Sequence, residues 1–152
     1  MSKIPYFAYG SNMNLSQMLE RCPHSEKIGI GFMNDAEVFF PSFYEPWNSG
    51  MAGYKSSPGN KMWGVIFNLD ERDLEVMRDY EDYVPGREAH LNNYNEVMVD
   101  IISNDEVIKC MTYESIITGN YRPSLKYLQG IIHGATENNL PEEYIEKLSQ
   151  VL

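Results

Sequence analysis

Glu81 and the segment Tyr6-Phe7-Ala8-Tyr9-Gly10-Ser11-Asn12 are the residues whose types and spacing point most directly to chemistry. Glu81 follows Leu74 by seven positions, so at about 3.6 residues per turn a helix places it within about 20° of Leu74, between Leu74 and Met77. Asp79 and Asp82 fall elsewhere around the axis. An acid aimed at apolar neighbours loses hydration of its charged form, which raises its pKa above the free value of about 4.3. Such a carboxylate can take up and return a proton near neutrality, as a general base must. The bland alternative is an acid at a frayed helix end that reaches solvent.

The N-terminal segment offers anion donors. Tyr6 to Tyr9 has the aromatic content of a buried strand, and Gly10 has the φ freedom of a sharp turn. Asn14 with Gln17 reads as a capping box, and Leu15, Met18 and Leu19 give a short amphipathic helix. Backbone N–H groups in a strand-to-helix turn can hold a carboxylate or a developing oxyanion. The sequence does not choose between these uses, and a βα turn that binds nothing is the plain alternative.

The elements that must position these groups are legible in outline. Asp70 is a good N-cap, Leu69 and Leu74 have hydrophobic-staple spacing, and Asp73 suits the first turn, so the helix carrying Glu81 starts at Asp70. Ile28 to Tyr44 reads as one or two strands ending near Pro41, and Lys61 to Leu69 as a strand. Between them, Glu45 to Asn60 reads as irregular loop with at most a short strand at Met51 to Tyr54. Tyr94 to Ile102 and Val107 to Ile116 form a hairpin through Ser103-Asn104-Asp105-Glu106. Pro123 opens a helix with Leu125, Leu128, Ile132 and Ala135 on one face, and Pro141 opens a last one through Tyr144, Ile145, Leu148 and Val151. Gly130 and Gly134, one helical turn apart, read as close helix packing. This is a mixed α and β chain whose sheet is either open and largely antiparallel or closed into a small barrel.

At 152 residues the chain suits one domain spanning 1–152. Its net charge of -10 repels nucleic acid and anionic bilayers on average. No apolar run approaches a membrane span, and Met1-Ser2-Lys3-Ile4-Pro5 lacks the apolar core of a signal peptide, which points to a cytoplasmic protein. Cys22 and Cys110 read as free thiols. Ser11 lacks a nucleophile elbow, and Cys22 beside His24 is an incidental pair. His24, His90 and His133 lack metal-ligand spacing, and Gly29-x-Gly31 lacks the third glycine of a dinucleotide loop.

Further stretches accompany the N-terminal Tyr9-Gly10-Ser11-Asn12 and Glu81. Ser57-Pro58-Gly59-Asn60-Lys61-Met62-Trp63-Gly64-Val65 precedes the acid, and Tyr94 and Tyr113 follow it. The tail carries Pro123-Ser124-Leu125-Lys126-Tyr127, His133-Gly134-Ala135 and Asn139-Leu140-Pro141, with Tyr144 and Leu148 beyond. In this order and spacing, across nearly the whole chain, the set resembles the γ-glutamylcyclotransferase family.

The resemblance implies a small, mostly antiparallel β-barrel flanked by helices, of α+β class, and an enzyme that releases 5-oxoproline from γ-glutamyl compounds without a cofactor or metal. It implies Glu81 as acid-base residue, the segment Tyr6, Phe7, Ala8, Tyr9, Gly10, Ser11 and Asn12 as substrate-binding turn, and Tyr127, Tyr94 and Tyr113 as substrate-contacting aromatics. The stretch Asp82 to Asn93 is longer than the compact loop associated with glutathione-pathway members, so it bears on substrate choice. Two other readings stand beside this one. One is a specialised enzyme that removes a γ-glutamyl protecting group from an amine such as an aminoglycoside intermediate; the other is a non-catalytic module that binds an amino acid. Partner chains and oligomeric state are not legible.

Overall fold

The computed structural model describes residues 2–151. Five strands, β1 (Ile4–Ala8), β2 (Glu26–Tyr44), β3 (Ser49–Leu69), β4 (Tyr94–Ser103) and β5 (Glu106–Ser115), close into a barrel in the order β1-β3-β2-β4-β5. All neighbours are antiparallel except β1 and β5, whose parallel pairing of Tyr6 with Met111 completes the barrel. Closure decides the question that periodicity left open, and it removes the exposed edges an open sheet would carry. Four helices surround the barrel: α1 (Leu15–Arg21), α2 (Glu71–Glu81), α3 (Leu125–Glu137) and α4 (Glu142–Ser149). No helix among the described residues is long and apolar enough to cross a membrane.

The largest departure from the sequence reading lies between residues 41 and 60. β2 does not end at Pro41, and most of the stretch expected to be irregular belongs to β3. Two irregularities explain the misreading. Pro41, which has no N–H for the ladder, sits in a register shift between Phe39 and Ser42, where its missing donor does no harm, and its carbonyl accepts from the Thr118 and Gly119 amides. The turn-rich residues Ser57-Pro58-Gly59-Asn60 bulge out between the pairs Ala36↔Ser56 and Asn34↔Lys61. Gly59 takes φ +84 there and donates its N–H to Asp35 Oδ1 at 2.8 Å. The turn chemistry was therefore real, but it marks a bulge within a continuous strand pair.

The helix ends follow their caps. Asp70 accepts from the amides of Arg72 and Asp73, and α2 ends where Asp82 turns left-handed at φ 54. Asn14 accepts from the Gln17 amide, but the Gln17 side chain donates to Ser11 Oγ and Asn12 Oδ1, so the capping box is only half formed. Helix α3 starts one residue after the cap Ser124, with Pro123 outside it. Its buried face carries Tyr127, Leu128, Ile131, Gly134 and Ala135, while Leu125 is exposed, so the face is rotated from the one expected. Val151 lies beyond α4. Gly134 makes the close approach expected of it, against the backbone of Met13 and Asn14, whereas nothing stands within 4 Å of a Cβ built on Gly130. Cys22 and Cys110 are both free and buried.

Candidate active site

At one side of the barrel a cavity of about 280 Å³ opens between the end of β1, the C-terminal ends of α1 and α2, the β2–β3 hairpin tip and α3. Tyr6, Tyr9, Gly10, Ser11, Asn12, Glu81, Tyr94, Tyr113 and Tyr127 line it, which brings most of the residues singled out by sequence to one place. Phe7 and Ala8 do not line it; the Phe7 side chain is fully buried in the core, as strand alternation requires of the neighbour of Tyr6.

Glu81 is the last residue of α2 and the only carboxylate among the lining residues. Burial of its charged form pushes its pKa up from 4.5 to about 7, against a smaller lowering by the positive charge of Arg21. The cavity wall around it is phenolic. Burial first, and the charge of Glu81 in addition, hold the hydroxyls of Tyr6, Tyr94 and Tyr127 well above the ordinary phenol range, so they stay protonated.

Two of those hydroxyls are fixed by the backbone of Ala52 and the third, that of Tyr6, by the Asn12 side chain. Tyr127 Oη accepts from the Ala52 amide at 3.0 Å, which leaves its own proton to donate. Tyr94 Oη donates to the Ala52 carbonyl at 2.5 Å, which leaves its oxygen free to accept. Tyr9 donates to the Tyr113 carbonyl at 2.6 Å, and Tyr113 donates to Glu96 at 2.8 Å. Asn12 is a hub: its amide nitrogen donates to Tyr6 Oη at 3.1 Å, and its oxygen accepts from Gln17 at 3.0 Å and from Arg21 at 2.9 Å. Gly10 is needed for space and not for a positive φ, since its φ is -115. A Cβ there would stand 3.3 Å from Ala52 Cβ and 4.0 Å from Tyr127 Oη, on the cavity wall.

A family model described as the AIG2-like family matches residues 61–148. Gamma-glutamylcyclotransferase of Mus musculus is 30% identical over 153 residues, an alignment that takes in 96% of this chain and 77% of that protein. The chain belongs to the γ-glutamylcyclotransferase family. Gamma-glutamylcyclotransferase of Homo sapiens is 29% identical over 153 residues, with the same coverage of both chains. A solved structure named gamma-glutamyl cyclotransferase superposes with a TM-score of 0.90 at 26% identity, covering 99% of this chain and 89% of that one. The γ-glutamylcyclotransferase barrel thus extends over nearly the whole sequence.

Several lining residues escaped the sequence reading. Arg21, the only cation among them, had a usable signal: it follows Gln17 by four positions, on the helix face that points back to Asn12. Phe43, Tyr44, Trp47, Met51 and Ala52 lie in or beside the stretch whose composition reads as irregular loop, and that composition carries no signal for a cavity wall. Tyr80 lines the mouth beneath Arg21, whose guanidinium carbon stands 4.3 Å from the ring centroid. The stretch after Glu81 forms a tied loop: Arg87 donates to the Asp82 carbonyl and to Asn92 Oδ1, and Asn93 at its end lines the cavity.

Proposed function

We propose that this chain cyclises γ-glutamyl compounds, with Glu81 carrying the proton. The α-amine of the γ-glutamyl group attacks its own γ-carbonyl carbon, a new C–N bond closes the five-membered ring of 5-oxoproline, and the original amide C–N bond breaks to free the amine or amino acid. Proton traffic balances without water: on its way from α-ammonium to lactam N–H the attacking nitrogen sheds two protons, and the departing amide nitrogen gains two and leaves as an ammonium. Glu81 takes up each proton from the first nitrogen and passes it on, ending as it began. The observation that carries this reading is a single carboxylate, pushed up to about 7 by burial, in a cavity whose other lining residues are aromatic, small polar and apolar groups and one cation, Arg21, that makes no ion pair with it among the described residues.

Because nucleophile and electrophile share one molecule, the protein's main contribution is to hold the glutamyl chain folded, an effect worth about 7 to 11 kcal/mol when alignment is good. The Tyr127 proton suits a substrate oxygen and the Tyr94 lone pair suits the α-ammonium, which would give the head group a direction. The turn at Ser11–Met13 uses the Met13 and Asn14 amides for its own hydrogen bonds. Amides that precede them are left to face an α-carboxylate or the developing oxyanion; the second use is worth about 3 to 4 kcal/mol. Incubation with γ-glutamyl dipeptides, γ-glutamyl amines and glutathione, followed by mass spectrometry for 5-oxoproline, tests the reaction. Product from at least one conjugate is expected, and no product from any of them refutes it.

A further inference from the structure

Resting on the cyclotransferase reading of the same cavity, we infer that Phe43, Tyr44 and Trp47 form the subsite for the side chain of the leaving amine, and that this subsite takes a large apolar or aromatic group. The three residues stand at the tip of the β2–β3 hairpin, line the cavity, and are 44%, 42% and 46% exposed. Aromatic surface left open to water in one cluster is costly unless something covers it. Continuity with the proton-carrying end names the occupant: the Trp47 ring lies 6.0 Å from that of Tyr127, whose hydroxyl reaches Ala52 beside Gly10. A γ-glutamyl head seated at Glu81 and Tyr127 therefore projects its amide substituent toward Trp47.

The lip is rigid enough to select. Segment 116–124 fixes the hairpin tip: the Gly50 amide donates to the Arg122 carbonyl at 2.7 Å, the Ser124 amide to Ser49 Oγ at 2.8 Å, and the Tyr121 amide to the Phe40 carbonyl at 2.9 Å. The rings of Tyr44 and Trp47 meet at 89° with centroids 5.2 Å apart, a corner that offers one face and one edge to an incoming ring. Charge decides between an apolar and a cationic occupant. The charged lining residues are Arg21 and Glu81, both carried by helices and neither by the hairpin, and Glu45 in the hairpin turn is not among the lining. An ammonium at the lip would find aromatic faces but no carboxylate among the hairpin residues that line the cavity.

The test compares kcat/KM for 5-oxoproline release from γ-glutamyl-phenylalanine, γ-glutamyl-glycine and the mono-γ-glutamyl conjugate of putrescine. Binding of the same compounds to Glu81→Gln is measured by calorimetry. The phenylalanine conjugate should exceed the glycine conjugate by at least about tenfold, and Trp47→Ala should reduce that ratio to within about twofold, with recovery in Trp47→Phe. Trp47 is half exposed, so its truncation spares the core. A ratio unchanged in Trp47→Ala, or preference for the putrescine conjugate, overturns the subsite. If no conjugate yields 5-oxoproline, the reaction reading fails by itself and calorimetry decides the lip. Tighter binding of the phenylalanine conjugate that Trp47→Ala abolishes upholds it, whereas equal or absent binding overturns it.

Discussion

Arg21 and Glu81 line one cavity from the last residues of two different helices, and no ion pair joins them among the described residues. The guanidinium is held away by a 2.9 Å hydrogen bond to Asn12 Oδ1 and by its seat over the Tyr80 ring. Two opposed influences therefore act on one carboxylate: burial raises its pKa and the distant positive charge lowers it, with burial prevailing at about 7. Direct contact would favour the ionised form far more strongly and leave a weak base.

The proposed base must be ionised to accept a proton, so kcat/KM should climb as pH rises through about 7. Arg21→Met removes the influence that favours the charged form, and the midpoint of that climb should move up by about half to one pH unit. Arg21→Lys should restore part of the shift. A midpoint that stays put in the Met variant would show that Arg21 does not tune Glu81.

Glu81→Gln should lower kcat by about a hundredfold or more while leaving substrate binding measurable. The same substitution should stabilise the protein at alkaline pH. The folded pKa lies above the unfolded one, so the stability tied to this group is complete below about 4.5 and is lost as pH rises to about 7. The loss is on the order of 3 kcal/mol for a shift of that size. Gln is neutral throughout, so its Tm at pH 8.5 should exceed the parent's by several degrees and match it near pH 4.5. Equal Tm values at pH 8.5 would mean that Glu81 is solvated.

The placement of the candidate residues was legible where local rules coincide with the fold. Asp70 caps α2 as its sequence requires, and the count of residues from Leu74 places Glu81 on the cavity side. The strands β1, β4 and β5 keep the bounds their patterns suggest to within a few residues. What escaped was tertiary. Pro41 and Ser57-Pro58-Gly59-Asn60 carry genuine turn chemistry, and only pairing across β2 and β3 reveals that it marks bulges in continuous strands. That error hid Phe43, Tyr44, Trp47 and Ala52 from the site. Arg21 was missed because a cation's partner cannot be read from charge counts when its partner is the amide oxygen of Asn12.

Arg78 donates to both carboxylate oxygens of Glu96 at 2.7 and 2.8 Å, and Tyr113 donates to the same group at 2.8 Å, tying α2 to β4 and β5 one turn before Glu81. The pair is partly buried, with side chains 30% and 13% exposed. Arg78→Ala leaves Glu96 with one donor and should cost about 1 to 3 kcal/mol, read as a lower urea midpoint at unchanged m-value. Because the tie sets where α2 ends, kcat should fall as well. An unchanged midpoint would assign the bridge no structural role.

Gly134 lets α3 approach the segment that follows the Ser11-Asn12 turn. A Cβ there would meet Asn14 N at 2.7 Å and the Met13 carbonyl carbon at 2.8 Å, both backbone atoms that cannot swing aside. The same contact is bonded by Asn138, whose Nδ2 donates to the Met13 carbonyl at 2.7 Å. Gly134→Ala should therefore push α3 outward, cost about 1 to 3 kcal/mol and lower kcat/KM, since α3 also carries Tyr127. Gly130→Ala is the matched control: with nothing within 4 Å of the added methyl, it should leave turnover intact and gain up to about 1 kcal/mol from helix propensity. If both alanine variants behave alike in urea unfolding and in turnover, the close approach of α3 to the turn is not what positions Tyr127.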